Sequence, residues 1–157
     1  MTTQRPDWLR HEGADYPIKP FPLEALGGHW ASLDRGDGHF VTRFGSLSSG
    51  CWRGYVARWE IVNDRLYLVG FETLDQEGHP LTIQDIFETD RLFAFWFTGE
   101  VSSAFGDHVF GKYEPTTRFD HVWKFRFGVL ESRTPRNNDT PELRARERNL
   151  RSFSDNL

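Results

Sequence analysis

The sequence predicts an α+β fold dominated by sheet: one antiparallel sheet built around a long hairpin, with one short helix and a C-terminal helix or tail. Three observations carry that expectation. Aromatic side chains make up 15% of the chain, with 14 Phe, 6 Trp and a single Met, a usage that favours pleated, half-buried surfaces over helix bundles. Residues 55–62 and 65–71 alternate in character with a period of two, which is the period of a strand. Between them stands Asn63-Asp64, two residue types that accept the positive φ of a two-residue hairpin loop. A length of 157 residues suits one domain, read as residues 1–131, followed over 132–157 by a linker and a helix or flexible tail.

The central hairpin occupies 50–72. On its first strand Tyr55, Ala57, Trp59 and Ile61 share one face, while Val56, Arg58, Glu60 and Val62 share the other. A two-residue loop pairs Ile61 with Leu66, Trp59 with Leu68 and Ala57 with Gly70. On the opposite face it pairs Glu60 with Tyr67, Arg58 with Val69 and Val56 with Phe71. The Trp59 face is nearly all apolar and is predicted to face the core. Slipping by one residue would bury Arg58 and Glu60 unpaired, at a cost of several kcal/mol, so the Arg58/Glu60 face is predicted to be partly wet.

Before the hairpin, Pro6, Pro17, Pro20 and Pro22 crowd residues 1–28. Proline has no N–H to donate, so this segment reads as a strap over the domain, anchored by Phe21 and Leu23, rather than as a strand. Glycine-rich turns bracket a short strand at 29–33; a second strand is expected at 39–44, and 45–50 reads as a small-residue loop. After the hairpin, 75–80 is a polar turn. Thr82 and Asp85 then stand at N-cap and N3 of a helix of one or two turns ending near Thr89, with Leu81 and Ile86 spaced as a hydrophobic staple. Residues 92–97, Leu-Phe-Ala-Phe-Trp-Phe, read as a strand buried on both faces, with a buried helix as the alternative for so short a run. Residues 102–107 and 115–120 read as polar turns around a strand at 109–113. From 121 to 130, Trp123, Phe125, Phe127 and Val129 share a face, with Lys124 and Arg126 opposite, as in a half-buried strand. Thr140-Pro141-Glu142 opens a last helix. Its many Arg residues and sparse apolar anchors, Leu143 and Leu150, suit a solvated tail.

Composition and motifs exclude several functions. A formal net charge of −4 is the opposite of the basic footprint of a duplex nucleic-acid binder. Cys51 is the single cysteine, so no disulfide forms within the chain, and its place at a strand start suits a small buried filler. Residues 1–16 carry charges and lack an apolar core, which argues against a signal peptide, and the longest apolar run, 92–97, is too short to span a bilayer. A cytoplasmic protein with no membrane partner is expected. Gly36-Asp37-Gly38 begins like a dinucleotide-binding loop, but Val41 stands where the third Gly belongs and no βαβ pattern surrounds it. The six His residues show no HExxH spacing and no Cys partner, so neither metal nor cofactor is expected. No GxSxG or phosphate-loop motif is present.

The stretch Cys51-Trp52-Arg53-Gly54-Tyr55-Val56-Ala57-Arg58-Trp59-Glu60-Ile61, then Leu66-Tyr67-Leu68, then Phe93-Ala94-Phe95-Trp96-Phe97-Thr98-Gly99-Glu100, resembles a pattern in a family of small bacterial proteins of unassigned function. In that family a W/Y-R-G-Y-x-A-x-W-E-I strand and an L-Y-L strand precede an F-A-x-W-F-x-G segment. The resemblance covers about the middle third of the chain. It implies a bacterial origin and a shared β-rich core, and brings no activity, cofactor or catalytic residue with it.

Arg58, Glu60, Arg65 and Tyr67 interleave charge with an aromatic ring on the wet face, and Arg and Tyr are residue types that anchor protein interfaces. Together with negative charge and no catalytic motif, they point to a non-catalytic protein that binds another protein, as immunity proteins and antitoxins bind a toxin. A second reading is a small-molecule binder or hydrolase whose sheet cleft sets Trp59 or Trp96 beside Glu60 or Glu100. A carboxylate among Glu60, Glu72 and Glu100 pressed against Trp96 or Tyr67 would have its pKa raised and could act as a general acid. The plainer expectation for Glu60 is a pair with Arg58 or a cross-strand neighbour. A third reading is single-stranded nucleic-acid binding through exposed aromatics. Arg53-Gly54-Tyr55 opens like an RNA-recognition strand, but residues 56–58 do not continue that motif.

Overall fold

The computed structural model describes residues 4–28, 30–34, 36, 38–47, 50–109 and 116–137, apart from the side chains of 105–109, 116–119 and 137. Its elements are β1 (Asp7–His11), β2 (Ala14–Ile18), a 3-10 turn (Pro22–Ala25), β3 (Ser32–Asp34), β4 (Phe40–Thr42), β5 (Tyr55–Val62), β6 (Arg65–Thr73), α1 (Ile83–Phe87), β7 (Leu92–Phe93), β8 (Gly99–Val109), β9 (Thr116–Arg126) and β10 (Val129–Asn137). The sheet-dominated fold is as expected. Eight strands form a mostly antiparallel sheet in the order β2-β1-β5-β6-β10-β9-β8, with β7 attached to β6, and β3–β4 make a small second sheet. The predicted helix from Thr140 lies outside the described residues.

The ends of that strand order meet. The Lys19 N–H donates to the Ser102 carbonyl (3.1 Å) and the Ser102 N–H to the Lys19 carbonyl (2.8 Å), so the sheet closes on itself as a barrel. Continuing this antiparallel register would bring Pro17 opposite Ala104. Pro17 has no N–H to give, and the closure stops at one residue pair.

The β5–β6 loop is the expected two-residue turn, with Asn63 at φ 51° and Asp64 at φ 61°. The predicted pairs Ile61–Leu66, Trp59–Leu68 and Glu60–Tyr67 form. Beyond them a bulge opposite Arg58/Trp59 shifts the register to Arg58–Gly70, Ala57–Phe71 and Val56–Glu72. The extra residue turns Phe71 to the inner face, where its ring meets Tyr55 edge-on at 5.9 Å. Without the bulge Phe71 would point out beside Tyr67. Tyr55, Trp59 and Leu68 are all buried, and Cys51 is a buried filler.

Four sequence expectations are corrected. The proline-rich N-terminus is not a strap: β1 pairs in parallel with β5, and β2 with β1. Pro17 is tolerated because it sits on the seam side of β2. Residues 92–97 are not one strand. Only Leu92–Phe93 pairs, and a turn closed by the Phe97 N–H on the Ala94 carbonyl (3.0 Å) follows. Nor is 121–130 continuous, since Phe127 (φ 49°) and Gly128 (φ 79°) make a second two-residue turn. A Cβ on Gly128 would stand 2.5 Å from the Ala94 carbonyl oxygen, so only glycine fits. Finally, 102–107 and 116–120 are strand, and so is 132–137, where turns and a linker were expected. The rest of the predicted 109–113 strand, 110–113, lies outside the described residues. Helix α1 carries the expected capping box, with the Asp85 N–H on Thr82 Oγ1 (3.2 Å) and the Thr82 N–H on Asp85 Oδ2 (2.8 Å).

The core is aromatic. Trp59, Trp123, Tyr55 and Phe125 are fully buried with Leu9, Ile18, Leu66, Leu68 and Val101. Trp30 stacks on Phe71 and Phe87 and meets Tyr55 edge-on. Each such ring removes about 150–250 Å² from water, roughly 4–6 kcal/mol at about 25 cal/mol per Å². No helix among the described residues is long and apolar enough to cross a membrane.

Candidate protein-binding surface

Three turns converge at one end of the barrel: Asn63-Asp64 between β5 and β6, Phe127-Gly128 between β9 and β10, and residues 94–98 between β7 and β8. Backbone bonds tie them together. The Leu130 N–H donates to the Asp64 carbonyl (2.6 Å), the Leu66 N–H to Gly128 (2.9 Å), the Gly128 N–H to Phe97 (2.7 Å) and the Ala94 N–H to Leu66 (2.9 Å). Thr98 Oγ1 accepts from the Phe127 N–H (2.9 Å). Held this way, Phe95, Phe127 and Val129 are 58%, 64% and 41% exposed. One exposed apolar side chain is ordinary; three on mutually bonded turns and the first residue of the strand that leaves one of them form a patch.

The patch continues onto the outer wall. Val129 is in register with Arg65 and Arg126. One step further, Phe93, Tyr67, Glu60 and Arg10 lie abreast on β7, β6, β5 and β1. The Arg91 guanidinium lies 4.3 Å from the centre of the Tyr67 ring and Arg65 lies 5.9 Å from that of Phe93, so cationic groups stack on the rings. The next row is Gly70, Arg58 and Trp8.

Of the six residues singled out from sequence, Arg58, Glu60, Arg65 and Tyr67 come together on this face. Trp96 and Glu100 do not join them. Trp96 Nε1–H donates to the Pro22 carbonyl (2.9 Å), and its ring packs at 6.3 Å from that of Trp59 on the inner side. Glu100 forms an ion pair with Arg136 at 2.7 Å. Around the closed sheet Glu60 and Glu100 are separated by β6, β10 and β9 one way and by β1 and β2 the other. Glu72 pairs with Arg5 at 2.7 Å, and that hydrogen bond holds its carboxyl below the usual range. The three carboxylates expected to make an acid–base group therefore stand apart. Trp8, Arg10, Phe93, Phe95, Phe127 and Val129 complete the face and were not foreseen. The Phe127-Gly128 dipeptide, a turn pair at the end of an alternating run, is the signal that could have found the last of them.

Two inner clusters hold the scaffold behind this face. Asp7 is wholly buried. Its Oδ1 accepts from Arg53 (2.7 Å) and the Ala57 N–H (3.0 Å), and its Oδ2 from Trp59 Nε1–H (3.1 Å). Burial outweighs the bonds from Ala57, Arg53 and Trp59 and leaves its carboxyl above the usual range. Both oxygens meet donors, which is a carboxylate's environment. Arg53 also stacks 3.7 Å over Phe21 and donates to the Arg5 carbonyl (2.8 Å). Burial, with a hydrogen bond to Glu24, raises Tyr55. In the second cluster, Trp123 Nε1–H donates to His11 Nδ1 (3.0 Å), which Arg133 also approaches at 3.2 Å. Arg133 bonds Glu12 (2.9 Å) and the Tyr16 hydroxyl (2.8 Å) as well. Both clusters fasten the β1–β2 hairpin to the rest of the barrel.

Asp75, Glu77 and His79 bring one potential metal-ligand atom each within 4.8 Å of one another. Asp75 Oδ1 is already engaged by the Glu77 and His79 N–H groups (2.9 Å each), so the group is accounted for as a turn. Comparison with protein-family models, with curated proteins and with solved structures finds no match to the chain.

Proposed function

We propose that the protein is a non-catalytic partner-binding protein of the bacterial cytoplasm, of the immunity or antitoxin kind, which seats another protein on the end of the barrel bearing Phe95, Phe127 and Val129. The observation that carries this reading is their exposure on turns whose backbones are bonded to one another. Large apolar side chains in pinned positions are desolvated by a partner at little conformational cost, which is how interface anchors work. Arg65, Arg91 and Arg126 are exposed on the strands and turns beside the patch, and so are Asp64 and Glu131, so the partner surface that fits is apolar at its centre and of mixed charge at its rim.

The test is affinity capture of the tagged chain from its native cells, comparing the unaltered protein with a Phe95→Asp/Phe127→Asp variant of unchanged melting temperature. The expected result is one stoichiometric protein held by the first and lost from the second. Retention of that protein by the variant, nuclease-sensitive nucleic acid in its place, or a self-association abolished by the variant would each overturn the proposal.

A further inference from the structure

The barrel seam carries a groove, apart from the end surface. Where Pro17 halts the pairing of β2 with β8, the two strands part around a groove of about 410 Å³. Pockets that take small ligands run from about 300 to 1,000 Å³. Its walls are Pro6, Pro17, Ile18, Phe21 and Ala104, and its polar groups are those of Gln4, Lys19 and Ser102. Lys19 is the one charged residue on the lining, and it has no ion-pair partner among the described residues. Gln4 turns its amide oxygen to the Trp52 N–H (2.7 Å), leaving its buried amide nitrogen without a hydrogen-bond partner among the described residues. Apolar walls with one lysine and no acid among the lining residues are complementary to a molecule with an apolar body and one negative end.

We propose that this groove binds a small apolar carboxylate, a medium-chain acyl or aryl acid, with its hydrocarbon against Pro6, Pro17 and Phe21 and its carboxylate at the Lys19 ammonium. The groove is held open by covalent structure rather than by a mobile element. Pro6 and Pro17 cannot donate to a neighbouring strand, and Phe21 is pinned beneath the Arg53 guanidinium at 3.7 Å. The site is therefore formed before the ligand arrives, which lowers the ordering cost of binding.

Titration of the full chain with hexanoate, octanoate and octylamine, followed by amide chemical shifts, tests this. Octanoate should shift Ile18, Lys19 and Ser102 and bind roughly tenfold more tightly than hexanoate, because each added methylene is worth about a factor of three to four. Octylamine should bind more weakly than octanoate. Lys19→Met should weaken octanoate about three- to fivefold, and Ala104→Trp, which fills the groove from an exposed strand position, should abolish the shifts without lowering the melting temperature. Octanoate shifts that avoid the seam, survive Ala104→Trp, or are matched by octylamine would overturn the assignment.

Discussion

At the scale of single residues, the N-terminal hairpin is held by groups whose protonation matters. Two donors face His11 Nδ1, so the neutral ring carries its proton on Nε2, as assigned from its partners. Burial and the Arg133 charge hold both His11 and His121 below the usual imidazole range. The unfolded chain takes up these protons near ~6.5, whereas the folded chain resists until lower pH. Between those values the unfolded state binds more protons. Stability is therefore full above the unfolded pKa and is lost as pH falls through it to the folded values. Melting temperature should drop from pH 7 towards pH 5, and His11→Gln should make that slope shallower, a difference from which the opposing contribution of Asp7 cancels. An unchanged slope would remove His11 from this role. At the other cluster, Asp7→Asn keeps the shape but leaves the Arg53 guanidinium without its counter-charge and sets an N–H₂ against donors. It should cost about 3–5 kcal/mol in urea denaturation; a loss under 1 kcal/mol would mean that water, not Asp7, satisfies Arg53.

At the scale of elements, what could be read from the sequence was whatever a local signal specifies. Asn63-Asp64 determined a loop, alternation from Tyr55 to Val62 determined two faces, and Thr82 with Asp85 determined a helix start. Arg58, Glu60, Arg65 and Tyr67 were assigned to one face for the same reason. The misses are elements defined by partners distant in sequence. β1 and β2 look like proline-rich coil until β5 supplies hydrogen bonds to β1. β8 and β10 are polar along much of their length, and their pairing with β9 sets their structure. The outward turn of Phe95 and Phe127 follows from the contact of Gly128 with Ala94, which no window of sequence around either residue reveals. The one-pair seam is the most consequential of these non-local contacts. In hydrogen exchange, the Lys19 and Ser102 amides should be protected to the level of the β5–β6 ladder. Exchange at the rate of an open chain would show that the sheet does not close.

At the scale of the whole molecule, closure explains why so acidic and aromatic a chain can afford an exposed apolar end. The core is complete without Phe95, Phe127 and Val129: Trp59, Trp123, Tyr55 and Phe125 fill the interior, and the turns at the end are satisfied by their own backbone bonds. Those three side chains are thus surplus to folding, and burying them in a partner leaves the barrel as it is. The groove at the seam lies on a different part of the wall, so the proposed ligand and the proposed partner need not compete. The measurement that bears most directly on partner binding is photo-crosslinking in native cells, with a benzophenone side chain in place of Phe127 or, as a matched control, of Trp52, which is 73% exposed elsewhere on the molecule. A single protein adduct from position 127 with none from position 52 is the predicted result. Equal labelling from both positions, or no adduct from 127, would contradict it.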